Sequence, residues 1–129
     1  MNNNKQSSMD KEFVPYEEAL ALKELGFDEP CFGRWLEPTE LFISTPADDE
    51  YCQKQHEFSW TALAPLYQQA FRWFRDKHKL GAIISQFGWG IENELGQIVH
   101  NISDSENPLC YEEAELACLK KLIVIANEK

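Results

Sequence analysis

The sequence predicts an α+β fold: an antiparallel β-sheet with three helices packed mainly on one face, in the order α-β-β-α-β-β-α. Three observations lead there. Two segments open with the same four residues, Tyr16-Glu17-Glu18-Ala19 and Tyr111-Glu112-Glu113-Ala114, and each runs into a leucine-rich stretch of helical period. A third amphipathic run lies between them, around Phe71. Pairs of short aromatic or β-branched runs, broken by turn residues, flank that central run. Laying helices on an antiparallel sheet is the simplest way to cover every apolar surface these segments create.

At 129 residues the chain is long enough to bury one core and short for two ordinary domains, so a single domain over residues 13–129 is expected. Hydrophobic residues make up 43%, with eight Phe, four Trp and four Tyr, which supplies the large side chains needed to offset the entropy of ordering a small chain. Residues 1–12 are polar, include Asn2-Asn3-Asn4, and read as a mobile tail.

The first helix is expected at about 15–25. Pro15 is preset for a first turn, Glu17 and Glu18 sit at the positive end of the helix dipole, and Gly26 provides a left-handed stop. The runs Cys31–Leu36 and Glu40–Ser44, separated by Glu37-Pro38-Thr39, read as two strands. Thr45 to Ser59 is acidic and turn-rich without a clear period. It reads as a loop, with room for a short strand at its end, and is the segment expected to move if any does.

The second helix is expected from about Ala62 to Leu80, with Pro65 in its first turn and Gly81 as its stop. At about 3.6 residues per turn, Leu63, Leu66, Tyr67, Ala70, Phe71, Trp73 and Phe74 share one arc, and Gln68, Arg72, Arg75, Asp76 and Lys79 share the other. From Ala82 to Ile102 the pattern is a β-hairpin or meander turning at Asn93–Gly96. Gly88 and Gly90 flank Trp89 and mark a bulge or a close approach of another backbone. The third helix is expected at about 109–127, with Leu116, Leu119, Leu122, Ile123 and Ala126 on one stripe.

Twenty-two acidic residues against twelve basic ones give a formal charge of −10, which weakens attraction to phosphate backbones and anionic lipid. Direct, sequence-specific nucleic-acid binding is not expected. No apolar run approaches the roughly 20 residues of a membrane span, and the first residues lack the apolar core of a signal peptide, so no membrane association and a cytoplasmic setting are expected. Cys31, Cys52, Cys110 and Cys118 form no CxxC pair and are expected as reduced thiols.

The blocks Tyr16–Cys31, Ala64–Arg75 and Tyr111–Leu122 together resemble a group of small uncharacterised proteins carried by phages, prophages and mobile elements of Bacteroidetes. The resemblance covers about half the chain and brings no functional residues with it. It implies a mobile-element setting, in which small acidic proteins without catalytic motifs are often inhibitors of host defence, anti-CRISPR proteins among them. This rests on association and not on a site.

Several constellations compete for function. Gln68, Arg72, Arg75 and Lys79, at i, i+4, i+7 and i+11, would form one exposed basic stripe on a helix, either gripping an acidic partner or simply solvated with Asp76. Asp48, Asp49 and Glu50, with Glu57 nearby and Glu37 and Glu40 before them, concentrate negative charge that can imitate a nucleic-acid backbone for a basic cleft, or be a solvated loop. The aromatic arc around Phe71 reads as core. Trp35, Trp60 and Trp89 fall in strands or loops, and Trp89 beside flexible glycine is the leading candidate for an exposed anchor.

No metal site is expected. Cys52 and His56 are four apart, and His78, His100, Cys110 and Cys118 converge only if the fold brings them together. No cofactor and no catalytic residue is assigned. The leading expectation is a non-enzymatic protein that binds a host protein with a basic surface, such as a CRISPR effector nuclease, through Asp48, Asp49, Glu50, Glu57, Trp89, Arg72, Arg75 and Lys79. A small hydrolase acting on a nucleotide signal, with His56 or His100 as acid or base, is an alternative class. An oligomerising module that pairs sheet edges is a third, and the oligomeric state is left open.

Overall fold

A computed structural model describes residues 10–38, 40–85, 88–103 and 110–128. It contains three α-helices and two antiparallel sheets of three strands each, so the α+β class and the predicted order of helices and strand pairs hold. The strands form two sheets and not the one expected, and each sheet holds three strands. The chain separates into two compact units, one ending at Gln68 and the other beginning at Gln69.

In the first unit, α1 spans Tyr16–Glu24 and closes through Gly26 at φ +101°, where the Gly26 amide donates to Lys23 O and the Phe27 amide to Leu22 O. This pair of bonds is a Schellman stop, and the Leu22 and Phe27 side chains that flank it are fully buried. Strands β1, Gly33–Glu37, and β2, Glu40–Ile43, pair antiparallel, and β3, Ala62–Leu63, lies on the other side of β1. Alternation along β1 buries Gly33 and Trp35 and leaves Arg34 and Leu36 half-buried on the opposite face. Trp35 Nε1 donates to Val14 O at 2.9 Å and Thr61 Oγ1 donates to Trp35 O at 2.6 Å, so this tryptophan is a core member with its polar edge satisfied. Gly33 lies so close to Phe13 that an added Cβ would sit 2.8 Å from the ring.

The second helix is shorter than the predicted 62–80. Ala62 and Leu63 are a strand paired with Trp35 and Arg34, Ala64 donates to Gly33 O, and Pro65 O accepts from the Val14 amide. Proline disfavours helical geometry in the residue before it, and a sheet edge that needed a partner took the segment instead. Helix α2 therefore runs Tyr67–Trp73 and continues as a π-helical turn over Phe74–His78. Lys79, at φ 60°, takes the left-handed closing position expected of Gly81, which lies inside a strand. The aromatic arc is buried as expected at Tyr67, Phe71, Trp73 and Phe74.

In the second unit, β4 spans Leu80–Ser85, β5 spans Gly88–Asn93 and β6 spans Ile98–Ser103, forming a meander. The register irregularity lies between Ile91 and Glu92, not at Gly88 or Gly90. The close approach at Gly90 comes from helix α3, Tyr111–Asn127, whose Cys118 Sγ donates to Gly90 O at 3.6 Å. This helix packs on β4 and β5 and buries Leu119, Leu122, Ile123 and Ala126 of the predicted stripe. Its start is capped by the Cys110 amide donating to Glu113 Oε1. The expected tail up to residue 9 lies outside the described residues.

Candidate functional site

The first unit holds a cleft of about 290 Å³ in which aromatic and basic side chains predominate, with Leu36, Thr61, Ala62 and Leu63 completing the lining. Strands β1 and β2 contribute Arg34, Leu36 and Phe42. The segment after β2 contributes Tyr51, Lys54, His56, Phe58 and Trp60, and Thr61 with β3 completes the lining. Lys54, His56, Phe58 and Trp60 line the cleft whereas Gln55, Glu57 and Ser59 do not, in a segment that bends at Glu57 and turns at Ser59-Trp60, where the Thr61 amide donates to Phe58 O.

The rings of that segment form a ladder. His56 stacks on Phe58 with centroids 4.7 Å apart, Phe58 on Trp60 at 5.1 Å, and Tyr51 meets His56 at 5.4 Å. Phe42, Tyr51, Phe58 and Trp60 keep 41%, 48%, 45% and 46% of their surface exposed, which makes them a contact surface and not core. The Arg34 guanidinium lies 4.8 Å from the Phe42 centroid and 5.1 Å from that of Tyr51, within cation–π range of both.

The residues facing away from the cleft hold the ladder in place. The Gln55 amide donates to Asp28 Oδ1, its Nε2 donates to Phe27 O at 3.0 Å, and its Oε1 accepts from the Leu63 amide at 3.0 Å. From α1, Lys23 Nζ donates to Phe58 O and to Thr61 O. Burial pushes the Lys23 pKa down, and neighbouring Glu24 opposes that. Three polar side chains, Gln55, Asp28 and Lys23, thus pin a segment that lacks sheet or helix hydrogen bonds of its own.

The predicted acidic cluster is split by the fold. Asp49 turns inward, with Oδ2 accepting from Arg34 Nε at 3.0 Å and Oδ1 accepting from the Tyr51 amide at 2.9 Å, so it caps the short turn Glu50–Cys52. Burial pushes its carboxyl up, yet the Tyr51 amide, Arg34 and Cys52 together outweigh this and hold it below the ordinary aspartate value. Asp48, Glu50 and Glu57 remain exposed and do not line the cleft.

Trp89, expected as an exposed anchor, is 7% exposed and stacks on His100 with centroids 4.9 Å apart. Its ring is a packing element, since β5 is the central strand of its sheet. The basic stripe is also broken. Arg72 is exposed on α2, but Arg75 and Lys79 lie beyond its last α-helical residue, where the π turn changes the angular step. They line a separate pocket of about 330 Å³ in the second unit together with Glu92 and Glu94, so their charge is locally opposed.

Among the described residues, no three His, Cys, Asp or Glu side chains converge as a metal site. The thiols of Cys31, Cys52 and Cys118 are buried, and burial pushes each pKa up, that of Cys118 to about 12, so the nucleophilic thiolate is disfavoured at all three. No helix among the described residues is long and apolar enough to cross a membrane.

The cleft residues Arg34, Phe42, Tyr51, Lys54 and Phe58 were not singled out from the sequence. For Lys54 and Phe58 the signal is the alternation Lys54-x-His56-x-Phe58-x-Trp60, which is hidden by the turn-forming residues around it, whereas Arg34, Phe42 and Tyr51 join the cleft only through the fold. Comparison with protein-family models, with curated proteins and with solved structures gives no match.

Proposed function

We propose that this protein works by binding and not by catalysis, that its recognition site is the aromatic cleft of the first unit, and that its target belongs to a nucleic-acid-handling defence system of a bacterial host. The observation that carries the reading is the convergence of four part-exposed rings with Arg34 around one cleft. Aromatic and arginine side chains dominate binding energy at recognition sites, the rings because they bring large contact area at small entropic cost and arginine because its planar guanidinium both stacks and hydrogen-bonds. The hydrolase alternative calls for a histidine and a carboxylate facing a common cavity, whereas the described lining of the cleft includes His56 and no Asp or Glu. The host-defence setting comes from the resemblance to mobile-element proteins.

A second reading places the docking face on the exposed carboxylates Asp48, Glu50 and Glu57, which would steer the protein to a basic host surface such as a CRISPR effector channel. Purification of the tagged protein from its bacterial host, followed by mass spectrometry of both co-purifying proteins and small molecules, separates the two. Loss of the co-purifying species in Phe58→Ala/Trp60→Ala but not in Asp48→Lys/Glu50→Lys supports the cleft. The reverse pattern supports the acidic face, and retention in both variants overturns the whole proposal.

A further inference from the structure

We infer that the cleft of the first unit is a site for a free nucleotide, its base stacked against the exposed rings and its phosphate held by Lys54. The inference rests on the reading that this cleft is the recognition site, and it names the chemistry of the occupant. Charge is the first argument. In a chain of net charge −10, the titratable side chains lining the cleft are Arg34, Lys54, His56 and the phenol of Tyr51, with no carboxylate among the described lining residues. Asp49, 3.0 Å from Arg34, offsets that guanidinium, so Lys54 is the cation that leaves the lining with positive charge, opposite in sign to the chain and favouring an anion.

The cations are not equivalent. Arg34 is committed to Asp49 and to the Phe42 and Tyr51 rings. Lys54 is exposed and makes no hydrogen bond or ion pair among the described residues, which leaves its ammonium free for a phosphate oxygen.

The second argument is shape and surface. The rings of His56, Phe58 and Trp60 cover one another's facing surfaces, and what remains open on the part-exposed Phe58 and Trp60 is offered to a planar ring, a kind of contact that accepts any base. The cleft, at about 290 Å³, is at the lower end of small-molecule sites and suits one nucleotide better than a polymer. The overall negative charge also opposes a long polyanion, so the free nucleotide and not a single strand is the expected ligand. His56, a lining residue, also has its Nδ1 buried without a hydrogen-bond partner among the described residues, a group that a base edge can satisfy once the imidazole turns toward the cleft.

The test is isothermal titration calorimetry of the full chain with AMP, GMP, CMP and UMP, with adenosine, and with a short oligo(dA). At least one mononucleotide is expected to bind, adenosine to bind more weakly than AMP, and affinity to fall as salt rises. Trp60→Ala is expected to weaken binding roughly ten-fold or more, and Lys54→Gln several-fold with a flatter salt dependence. Both positions are exposed, and unchanged thermal unfolding shows that the variants fold. No heat from any mononucleotide at millimolar concentration, equal binding of adenosine and AMP, binding unaffected by Trp60→Ala, or tighter binding of the oligonucleotide than of any mononucleotide would each overturn the inference. If the mononucleotides fail while Phe58→Ala/Trp60→Ala still abolishes co-purification from the host, the nucleotide assignment falls and the cleft stands.

Discussion

Asp49 shows how one side chain in the acidic run was diverted from the role its neighbours suggest. It caps the Glu50–Cys52 turn and grips Arg34, which in turn lies over two rings of the cleft. Because its carboxyl is held below the ordinary value, the stability it contributes is fully present above the unfolded pKa of about 4 and is lost as pH falls through the folded one. Asp49→Ala is therefore expected to lower stability by about 1–2 kcal/mol near neutral pH, with the difference from wild type closing in acid, as urea unfolding at several pH values will show. Gln55 matters through hydrogen bonds alone. Gln55→Ala leaves the Leu63 amide and Phe27 carbonyl without their partner and is expected to cost about 1–3 kcal/mol. At this scale the sequence was partly legible. Trp35 and Trp60 look alike in the text, but one is buried with its indole bonded to Val14 and the other is half-exposed. Only the three-dimensional neighbours decide between them.

Elements with strong local signals were legible and elements set by pairing were not. Helix α1 announces its stop through Gly26, and α3 its first turn through the Glu-Glu pair after Tyr111, so both fall within a residue or two of expectation. The N-terminal part of the second helix was misread because Ala62-Leu63 is apolar enough to continue a helical period, whereas β1 needed a partner on that side. Its end was misread because Lys79, not a glycine, adopts the left-handed conformation. That position carries backbone strain, and Lys79→Gly is expected to raise stability by about 0.5–1 kcal/mol in thermal or urea unfolding. A contrasting case is Gly33, where Gly33→Ala is expected to cost about 1–3 kcal/mol by driving a methyl into the Phe13 ring, with Phe13→Leu relieving part of the loss.

For the molecule as a whole, charge and composition marked an acidic chain with abundant aromatics, but did not show that the two properties are separated in space. Exposed carboxylates at Asp48, Glu50 and Glu57 lie outside the cleft lining, while the aromatic rings and Lys54 line it. For Glu57 that separation follows from the alternation by which Lys54, His56, Phe58 and Trp60 line the cleft and the residues between them do not, and such an alternation leaves no trace in composition. The thiols follow the same division between buried and exposed. Cys31, Cys52 and Cys118 are buried with raised pKa values and Cys110 is exposed, so a thiol reagent is expected to modify one cysteine quickly in the native protein and the other three only on unfolding. The central claim, that contact with the target is made at the ladder, is tested most directly by fluorine NMR of the protein labelled with 5-fluorotryptophan, with Trp60→Phe assigning one of the four signals. On addition of the bound species, the Trp60 resonance should shift or broaden while those of the buried Trp35, Trp73 and Trp89 stay in place. Saturating binding that leaves the Trp60 signal unmoved would contradict the account.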